Sequence, residues 1–288
     1  MTVLEALHFG RQTLQAADVP DYEYDANALL QYASGRGLAF LLGNPGEVLP
    51  KEAEAAYLEM LEKRRQRIPL QQIVGETCFY GYMFRTRKGT LIPRSDTECL
   101  VEQALKSATQ KNVRFLDLCS GSGCIGISFY LERKNAGFRD TGILSDISEE
   151  ALRLSGENAE LLGAEVEVLY SDLFAGLGDR KFDLILSNPP YIPKAAMESL
   201  MPEVRLHEPE IALTDDGDGL SFYRRIAAEA KDHLLPGGQL FLEIGFDQGE
   251  AVTGLLKSGG YLDVLCIKDY AGLDRVVCTR TRTMNESV

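Results

Sequence analysis

The four residues Asn188-Pro189-Pro190-Tyr191 carry the clearest chemical signal in the chain. They follow the apolar run 182–186, which is typical of a buried strand in a parallel sheet. Neither proline can donate a backbone N–H, so the pair ends the strand and stiffens the turn. The Asn188 amide and the proline carbonyls then offer fixed acceptors to a planar NH2 group. The corner therefore indicates chemistry on an amide or amino nitrogen, with an ordinary Asn-Pro turn as the alternative.

A glycine-rich turn further upstream indicates a cofactor site. Residues 115–127 have the pattern of a strand, a turn of small residues and an apolar helix. Gly121, Gly123 and Gly126 match the Gly-x-Gly-x-x-Gly spacing, which lets the backbone and the helix start approach a ligand. Asp146 ends the next predicted strand about 20 residues on, where an acid binds ribose hydroxyls. This spacing predicts a cofactor that contains adenosine and does not distinguish between such cofactors.

The order of the parts narrows the choice of cofactor. A third predicted strand, 165–170, ends in Ser171-Asp172-Leu173, and the fourth ends at Asn188. A glycine turn, an acid, an aspartate after the third strand and then Asn-Pro-Pro-Tyr resembles the S-adenosylmethionine-dependent methyltransferases that modify nitrogen. In that family the last motif receives a planar NH2, either of adenine or cytosine or of a glutamine side chain.

Composition limits the function classes. The net charge of −13 and pI near 4.8 argue against wrapping of duplex nucleic acid, which needs a basic face. Six cysteines without a Cys-x-x-Cys pair and three scattered histidines predict no metal site and a reduced, cytoplasmic protein. No apolar run long enough for a membrane span and no secretory signal are visible. Two groups of basic residues are interpreted as solvated helix ends, with an acidic or RNA-associated protein partner as the alternative. They are Lys63, Arg64, Arg65 and Arg67, and further on Arg85, Arg87, Lys88 and Arg94.

The chain has two predicted parts with a linker between them. Residues 1–70 show only helical periodicity and predict a small bundle, and residues 71–94 predict a β-hairpin linker. Residues 95–288 predict an α/β domain of about seven strands, the last two (261–267 and 275–279) forming an antiparallel edge pair. Ser95 to Glu98 has the form of a capping box before an apolar helix. Residues 237–244 predict a helix end, a turn and a buried strand.

Four ordered motifs, at residues 91–98, 117–127, 188–192 and 203–213, look like those of the release-factor glutamine methyltransferases, the HemK/PrmC family. The resemblance spans roughly residues 64–278. It implies an α/β fold with a seven-stranded Rossmann-like methyltransferase sheet and an N-terminal helical bundle that recognises the substrate. It also implies methylation of the glutamine amide nitrogen in the Gly-Gly-Gln motif of class 1 peptide chain release factors. S-adenosylmethionine would be the cofactor and S-adenosylhomocysteine the product.

The resemblance also implies which residues form the site. The expected cofactor-binding residues are Asp117, Cys119, Ser120, Gly121, Ser122, Gly123, Asp146, Asp172, Leu173 and Asn188. The expected substrate-binding residues are Asn188, Pro189, Pro190 and Tyr191, of which Asn188, Pro189 and Tyr191 are the catalytic candidates. Cys119 stands where the family usually has glycine, and Asp172 has a helix N-cap as its alternative role.

The expected mechanism relies on positioning, because an amide nitrogen is a weak nucleophile whose lone pair is delocalised. The Asn188 Oδ1 and the Pro189 carbonyl would each accept one substrate N–H, and Tyr191 would pack on the flat amide. Three alternatives stay open: a ribosomal-protein glutamine methyltransferase, an amino-methyltransferase of DNA or RNA bases, and a cofactor-binding module without catalysis.

Overall fold

The structure, a computed structural model, describes residues 1–108, 112–284 and 286, and the chain divides into two units. The first unit is Met1–Glu76 with Met201–His207, and the second is Thr77–Leu200 with Glu208–Val288. Among the described residues, no helix is long and apolar enough to cross a bilayer.

The helices and strands follow one another along the chain in this order: α1 Val3–Gln15, α2 Tyr22–Ser34, α3 Leu38–Gly43, α4 Lys51–Arg65, α5 Leu70–Val74, β1 Glu76–Phe79, β2 Tyr82–Arg85, α6 Glu98–Ser107, β3 Arg114–Leu118, α7 Cys124–Asn135, β4 Thr141–Asp146, α8 Glu149–Leu162, β5 Glu167–Tyr170, β6 Phe182–Ser187, α9 Pro202–His207, α10 Ser221–Glu229, β7 Leu234–Glu243, α11 Gly249–Ser258, β8 Leu262–Lys268 and β9 Asp274–Arg280.

The first unit is the predicted helical bundle. Thr2 caps α1 with a full capping box, since its hydroxyl accepts from the Glu5 N–H and the Glu5 carboxylate accepts from the Thr2 N–H. Apolar side chains at helical spacing bury one face of each long helix, including Leu14 of α1 and Leu29 of α2. Tyr57 of α4 lies fully buried, and its hydroxyl contacts the carbonyls of α1 and α2.

A buried ion network in this unit corrects the interpretation of the basic stretch 63–67 as a solvated helix end. The Arg64 Nε lies 2.6 Å from Asp25 Oδ2, and its Nη2 lies 2.8 Å from Glu203 Oε1. Arg67 Nε also binds Glu203 Oε1, at 2.7 Å. Helix α9 therefore belongs to the first unit because its glutamate neutralises two arginines there. Only Lys63 and Arg65 of this stretch are solvated as predicted.

The predicted hairpin is formed by β1 and β2. Tyr80 and Gly81 make its two-residue turn, and both have positive φ, 51° and 80°. Two positive φ values in a two-residue turn fit the right-handed twist of the flanking strands.

The second unit contains the predicted seven-stranded sheet, in the order β5-β4-β3-β6-β7-β9-β8. The strands are parallel except β9, which is antiparallel to both β7 and β8, so the predicted antiparallel edge pair is confirmed. Helices cover both faces over two apolar clusters. Strand order reverses between β3 and β6, and ligands of open α/β sheets bind beyond the carboxyl ends of the strands at such a point.

Two local predictions were wrong. Ser95–Thr97 form a short 3-10 turn with no side-chain cap, and Glu98 Oε1 instead accepts from the Tyr80 N–H at 2.8 Å. The turn expected at 237–238 is instead an irregularity inside β7. The pairing of β7 with β6 is interrupted between Leu234 and Gln239, where the two glycines lie.

Candidate active site

The turn after β3 has the backbone of a ligand cradle. Cys119, Gly121 and Gly123 have positive φ values of 60°, 54° and 80°. The Ser120 N–H donates to the Ser145 carbonyl at 3.0 Å, which ties the turn to the end of β4. A cysteine at a φ of 60° has a steric cost that glycine would not have.

Two glycines of this segment are required by close packing. A Cβ on Gly126 would lie 2.4 Å from Leu144 Cδ2 and 2.9 Å from Asp117 Cβ. A Cβ on Gly123 would lie within 3.1 Å of side chains of Ile127, Ser155 and Leu144, besides its positive φ. Helix α7 can therefore approach the sheet only with glycine at these positions.

Asp117, the predicted acid of β3, is completely buried below the turn. Its Oδ2 accepts from the Gly126 N–H at 2.8 Å and so caps the start of α7. Burial raises the pKa of Asp117 to about 7, although the Gly126 hydrogen bond lowers it. Its Oδ1 and the buried Ser120 hydroxyl have no hydrogen-bond partner among the described residues. A polar group of a ligand bound beside the glycine turn would form hydrogen bonds with these two atoms.

Asp146 ends β4 at the same edge of the sheet. Its Oδ2 accepts from the Gly121 N–H and its Oδ1 from the Ser148 N–H, both at 2.9 Å. Burial raises the pKa of Asp146, and these backbone hydrogen bonds oppose that effect. Each carboxylate oxygen keeps a further lone pair for a ligand hydroxyl.

Asp172 and Leu173 follow β5. Asp172 is exposed, and its Oδ1 lies 2.9 Å from Arg225 Nη2. Residues 172–177 form turns and no helix begins there, so the alternative of Asp172 as a helix N-cap was wrong. Leu173 is buried with a φ of 48°. Sequence reasoning did not identify Arg225, because its partner Asp172 lies far from it along the chain.

Asn188 directly follows β6, as predicted, and its side chain lies beside the 3-10 turn that precedes α6. Its Nδ2 lies 3.5 Å from Thr97 Oγ1. Both prolines are buried, and the Tyr191 carbonyl accepts from Gln248 Nε2 at 3.0 Å. The Ile192 N–H donates to the Leu213 carbonyl at 2.9 Å. The corner is therefore held rigidly by the loop before α10 and by the start of α11.

A cavity of about 260 Å³ at the carboxyl edge of the sheet brings most predicted residues together. Nine predicted site residues line it, namely Cys119, Ser120, Gly121, Ser122, Asp146, Asp172, Leu173, Asn188 and Pro190. Asp117, Gly123, Pro189 and Tyr191 lie outside the described lining. The glycine turn and the Asn188 corner thus face one space, as the two halves of a transfer site must.

Sequence reasoning missed several residues of this site. Arg94 was predicted to be part of a solvated helix end, but it lines the cavity, and its Nη2 lies 2.6 Å from Oε1 of the buried Glu208. Thr97 also lines it, and Glu243 is buried behind Asn188 at the end of β7. An acidic residue directly after the apolar run 240–242 was an available signal for Glu243.

The strand order, the glycine turn and the Asn188 corner define a Rossmann-like methyltransferase. The fold is shared with a methyltransferase from Pyrococcus furiosus, which is 18% identical, with a TM-score of 0.51 over 69% of this chain and 88% of that one. Residues 5–75 match the PrmC N-terminal domain family, and residues 95–219 match the methyltransferase small domain family.

Full-length relatives identify the family. The chain is 43% identical to a release factor glutamine methyltransferase of Cereibacter sphaeroides, over 97% of this chain and 99% of that protein. It is 38% identical to one of Clostridium botulinum, again over 97% and 99% of the two chains. The chain belongs to the release factor glutamine methyltransferase family.

Proposed function

We propose that this enzyme methylates the side-chain amide nitrogen of the glutamine in the Gly-Gly-Gln motif of class 1 peptide chain release factors. S-adenosylmethionine would be the methyl donor and S-adenosylhomocysteine the second product. The observation that carries the proposal is the placement of Asn188. It lies on the wall of the same cavity as the glycine turn, in a chain whose relatives bear that activity in their names.

The residues of the glycine turn fit the proposed cofactor. The buried hydroxyl of Ser120, on the cavity wall, has no partner among the described residues, and neither has Oδ1 of Asp117 beneath the turn. The Asp146 carboxylate faces the cavity with lone pairs for ribose hydroxyls, and Leu173 offers an apolar surface for a purine. When bound, S-adenosylmethionine supplies an activated methyl group.

The protein's own contribution to the reaction is the placement of the amide nitrogen. Asn188 Oδ1, on the cavity wall, would accept one hydrogen of the glutamine NH2 and hold the nitrogen toward the glycine turn. The Pro189 carbonyl, outside the described lining, would accept the other hydrogen once the substrate is seated. Fixed acceptors also stabilise the positive charge that develops on these hydrogens when the nitrogen is alkylated. A nitrogen that carries both a proton and the new methyl group is very acidic, so its proton leaves without a dedicated base.

We assign recognition of the release factor to the first unit. A Gly-Gly-Gln loop offers few side chains to read, so affinity must come from contacts elsewhere on the factor. The first unit exposes Leu4, Leu42 and Val48, with exposed fractions of 50%, 55% and 68%. The segments that carry them meet, since the Leu4 N–H donates to the Pro45 carbonyl, Thr2 pairs with Val48, and α3, which carries Leu42, contacts α1.

A double variant tests this assignment. Leu42→Ser with Val48→Ser should raise KM for the release factor several-fold and leave S-adenosylmethionine affinity unchanged. Leu161→Ser, which removes an equally exposed leucine of the second unit, is the matched control and should change neither. An equal rise of KM in the control, or none in the double variant, would refute the assignment.

The reaction itself is tested with labelled S-adenosylmethionine and two forms of one release factor, intact and with the Gly-Gly-Gln glutamine changed to alanine. Label on the intact factor alone, located on that glutamine by fragment mass spectrometry, is the expected result. Ribosomal protein and a mixture of DNA and RNA are incubated in parallel. Label on either of these, with none on the release factor, would replace the proposal with the corresponding alternative. The same proposal places the enzyme in the cytoplasm, where its six free cysteines would stay reduced.

A further inference from the structure

The residue beside Asn188 on the neighbouring strand is a buried carboxylate, Glu243. Ser187 of β6 pairs with Leu242 of β7, so the next residues, Asn188 and Glu243, lie side by side where the two strands end. Glu243 is only 2% exposed, and its Oε2 has no hydrogen-bond partner among the described residues. A buried carboxylate is costly, and the mechanism above gives this one no role.

Thr97, Tyr191 and Arg275 surround the Glu243 carboxylate. Burial raises the pKa of Glu243 to about 7, and the Thr97 and Tyr191 hydroxyls and the Arg275 guanidinium oppose that rise. Arg275 is itself held by Asp269 at 3.1 Å and by Asp96 at 3.4 Å. In its ionised form Glu243 offers only acceptors, so the nearby Thr97 hydroxyl can donate to it.

The direction of the Thr97 hydroxyl hydrogen determines the orientation of the Asn188 carboxamide. Thr97 has a single hydroxyl hydrogen, and when that hydrogen points to Glu243 the oxygen can only accept on its other side. The Asn188 carboxamide then turns its NH2 to Thr97, as found at 3.5 Å, and its Oδ1 to the cavity. A flipped carboxamide would present two donors to a substrate NH2, which is also a donor, and the pair would repel.

We propose that Thr97 and Glu243 are positioning residues that fix the Asn188 carboxamide with its oxygen toward the substrate amide. The proposal rests on the proposed function, because it specifies how the acceptor for the glutamine NH2 is set. Neither residue touches the substrate in this role. Thr97 lies on the cavity wall and Glu243 lies behind it.

Kinetics of three variants test the proposal. Thr97→Val keeps the shape and removes the hydroxyl, and it should lower kcat about 10- to 100-fold with S-adenosylmethionine affinity within about twofold. Thr97→Ser keeps the hydroxyl and should retain kcat within about threefold of wild type. Glu243→Gln should also lower kcat, and adding it to Thr97→Val should lower kcat no further. Normal turnover in Thr97→Val, loss in Thr97→Ser equal to that in Thr97→Val, or multiplying effects in the double variant would each overturn the proposal.

A second readout is independent of the substrate. The side-chain NH2 resonances of Asn188, assigned by their loss in Asn188→Asp, report its hydrogen bond directly. We expect their exchange with water to speed up several-fold in Thr97→Val and to stay unchanged in Thr97→Ser. Unchanged exchange and chemical shift in Thr97→Val would overturn the positioning role. If wild-type enzyme labels no release factor, the proposed function fails, and this measurement still decides the orientation of Asn188.

Discussion

The Gly121 N–H donates to Asp146 Oδ2 at 2.9 Å, so the turn after β3 and the acid after β4 form one hydrogen-bonded unit. The Asp146 carboxylate thus has two roles. It holds the backbone of the glycine turn, and it presents lone pairs to the cavity that the turn lines.

Asp146→Ala should therefore weaken S-adenosylmethionine binding by at least about tenfold, since both a ligand acceptor and the shape of the turn are lost. Turnover at saturating cofactor should fall much less. Isothermal titration with the cofactor measures the first effect and steady-state kinetics the second. Asp183→Ala serves as the control, because Asp183 binds the Arg114 N–H near the amino end of β6. Cofactor affinity retained in Asp146→Ala would remove Asp146 from the site.

A pair of glycine variants tests the packing of α7 against the sheet. Gly126→Ala should destabilise the protein by about 1–3 kcal/mol, because its Cβ would overlap Leu144 and Asp117. Gly156→Ala is the matched change within α8, where the nearest atom to a new Cβ is 4.0 Å away. It should stabilise the protein by about 0.5–1 kcal/mol, since alanine favours the helix. Denaturant unfolding compares the two, and equal effects of the same sign would contradict the packing described.

Cys119 tests how much strain the glycine turn tolerates. Cys119→Gly removes the steric cost of a φ of 60°, so we expect stability within about 1 kcal/mol of wild type and full cofactor binding. Cys119→Val introduces a β-branched residue at that φ and should lower both. Thermal unfolding with and without S-adenosylmethionine distinguishes the variants. Equal behaviour of valine and glycine would show that the turn does not require this conformation.

Glu203 gives the first unit a defined pH dependence. Burial alone would raise the pKa of Glu203, but hydrogen bonds from Arg67 and Arg64 outweigh it and lower the pKa to about 2. A carboxylate with a lowered pKa stabilises the fold above its unfolded pKa and loses that effect as the pH falls through its folded pKa. Glu203→Gln should thus cost about 3 kcal/mol at pH 7, and the difference from wild type should shrink between about pH 4.5 and pH 2.

Hydrogen exchange of peptides from α2 and α4 measures this difference in the full-length chain. Glu62→Gln is the control, because Glu62 pairs with Arg65 at an exposed site and should leave the exchange nearly unchanged. A difference between wild type and Glu203→Gln that stays constant down to pH 2 would show that the ion pair does not produce it.

Local sequence signals predicted the seven-stranded sheet and the positions of the glycine turn and the Asn188 corner. The apolar runs, the glycine spacing and the proline pair each act within a few residues, and the structure places Asn188 and Asp146 where those signals put them. The signals failed where the deciding partner is distant. Arg64 is buried because Glu203, 139 residues further along the chain, neutralises it. Ser95 forms no capping box with Glu98, because Glu98 accepts from the Tyr80 N–H instead. The Thr97 hydroxyl accepts from the side chain of Asn188.

Sequence reasoning missed Glu243 for the same reason. Its position beside Asn188 depends on the register between β6 and β7, where Ser187 pairs with Leu242. Strand register is set by packing across the whole sheet, so a single sequence does not reveal which side chains meet at its edge.

Asn188 is proposed to hold the substrate amide and to contribute little to cofactor binding. The most direct test is the single-turnover rate of methyl transfer to a release factor by wild type and Asn188→Ala, with the affinity for S-adenosylmethionine measured on the same preparations. We expect a loss of at least about 100-fold in the rate, comparable to the loss of one preorganised hydrogen-bonding group, with affinity within about threefold. An unchanged rate in Asn188→Ala, or a loss explained entirely by weaker cofactor binding, would contradict the account.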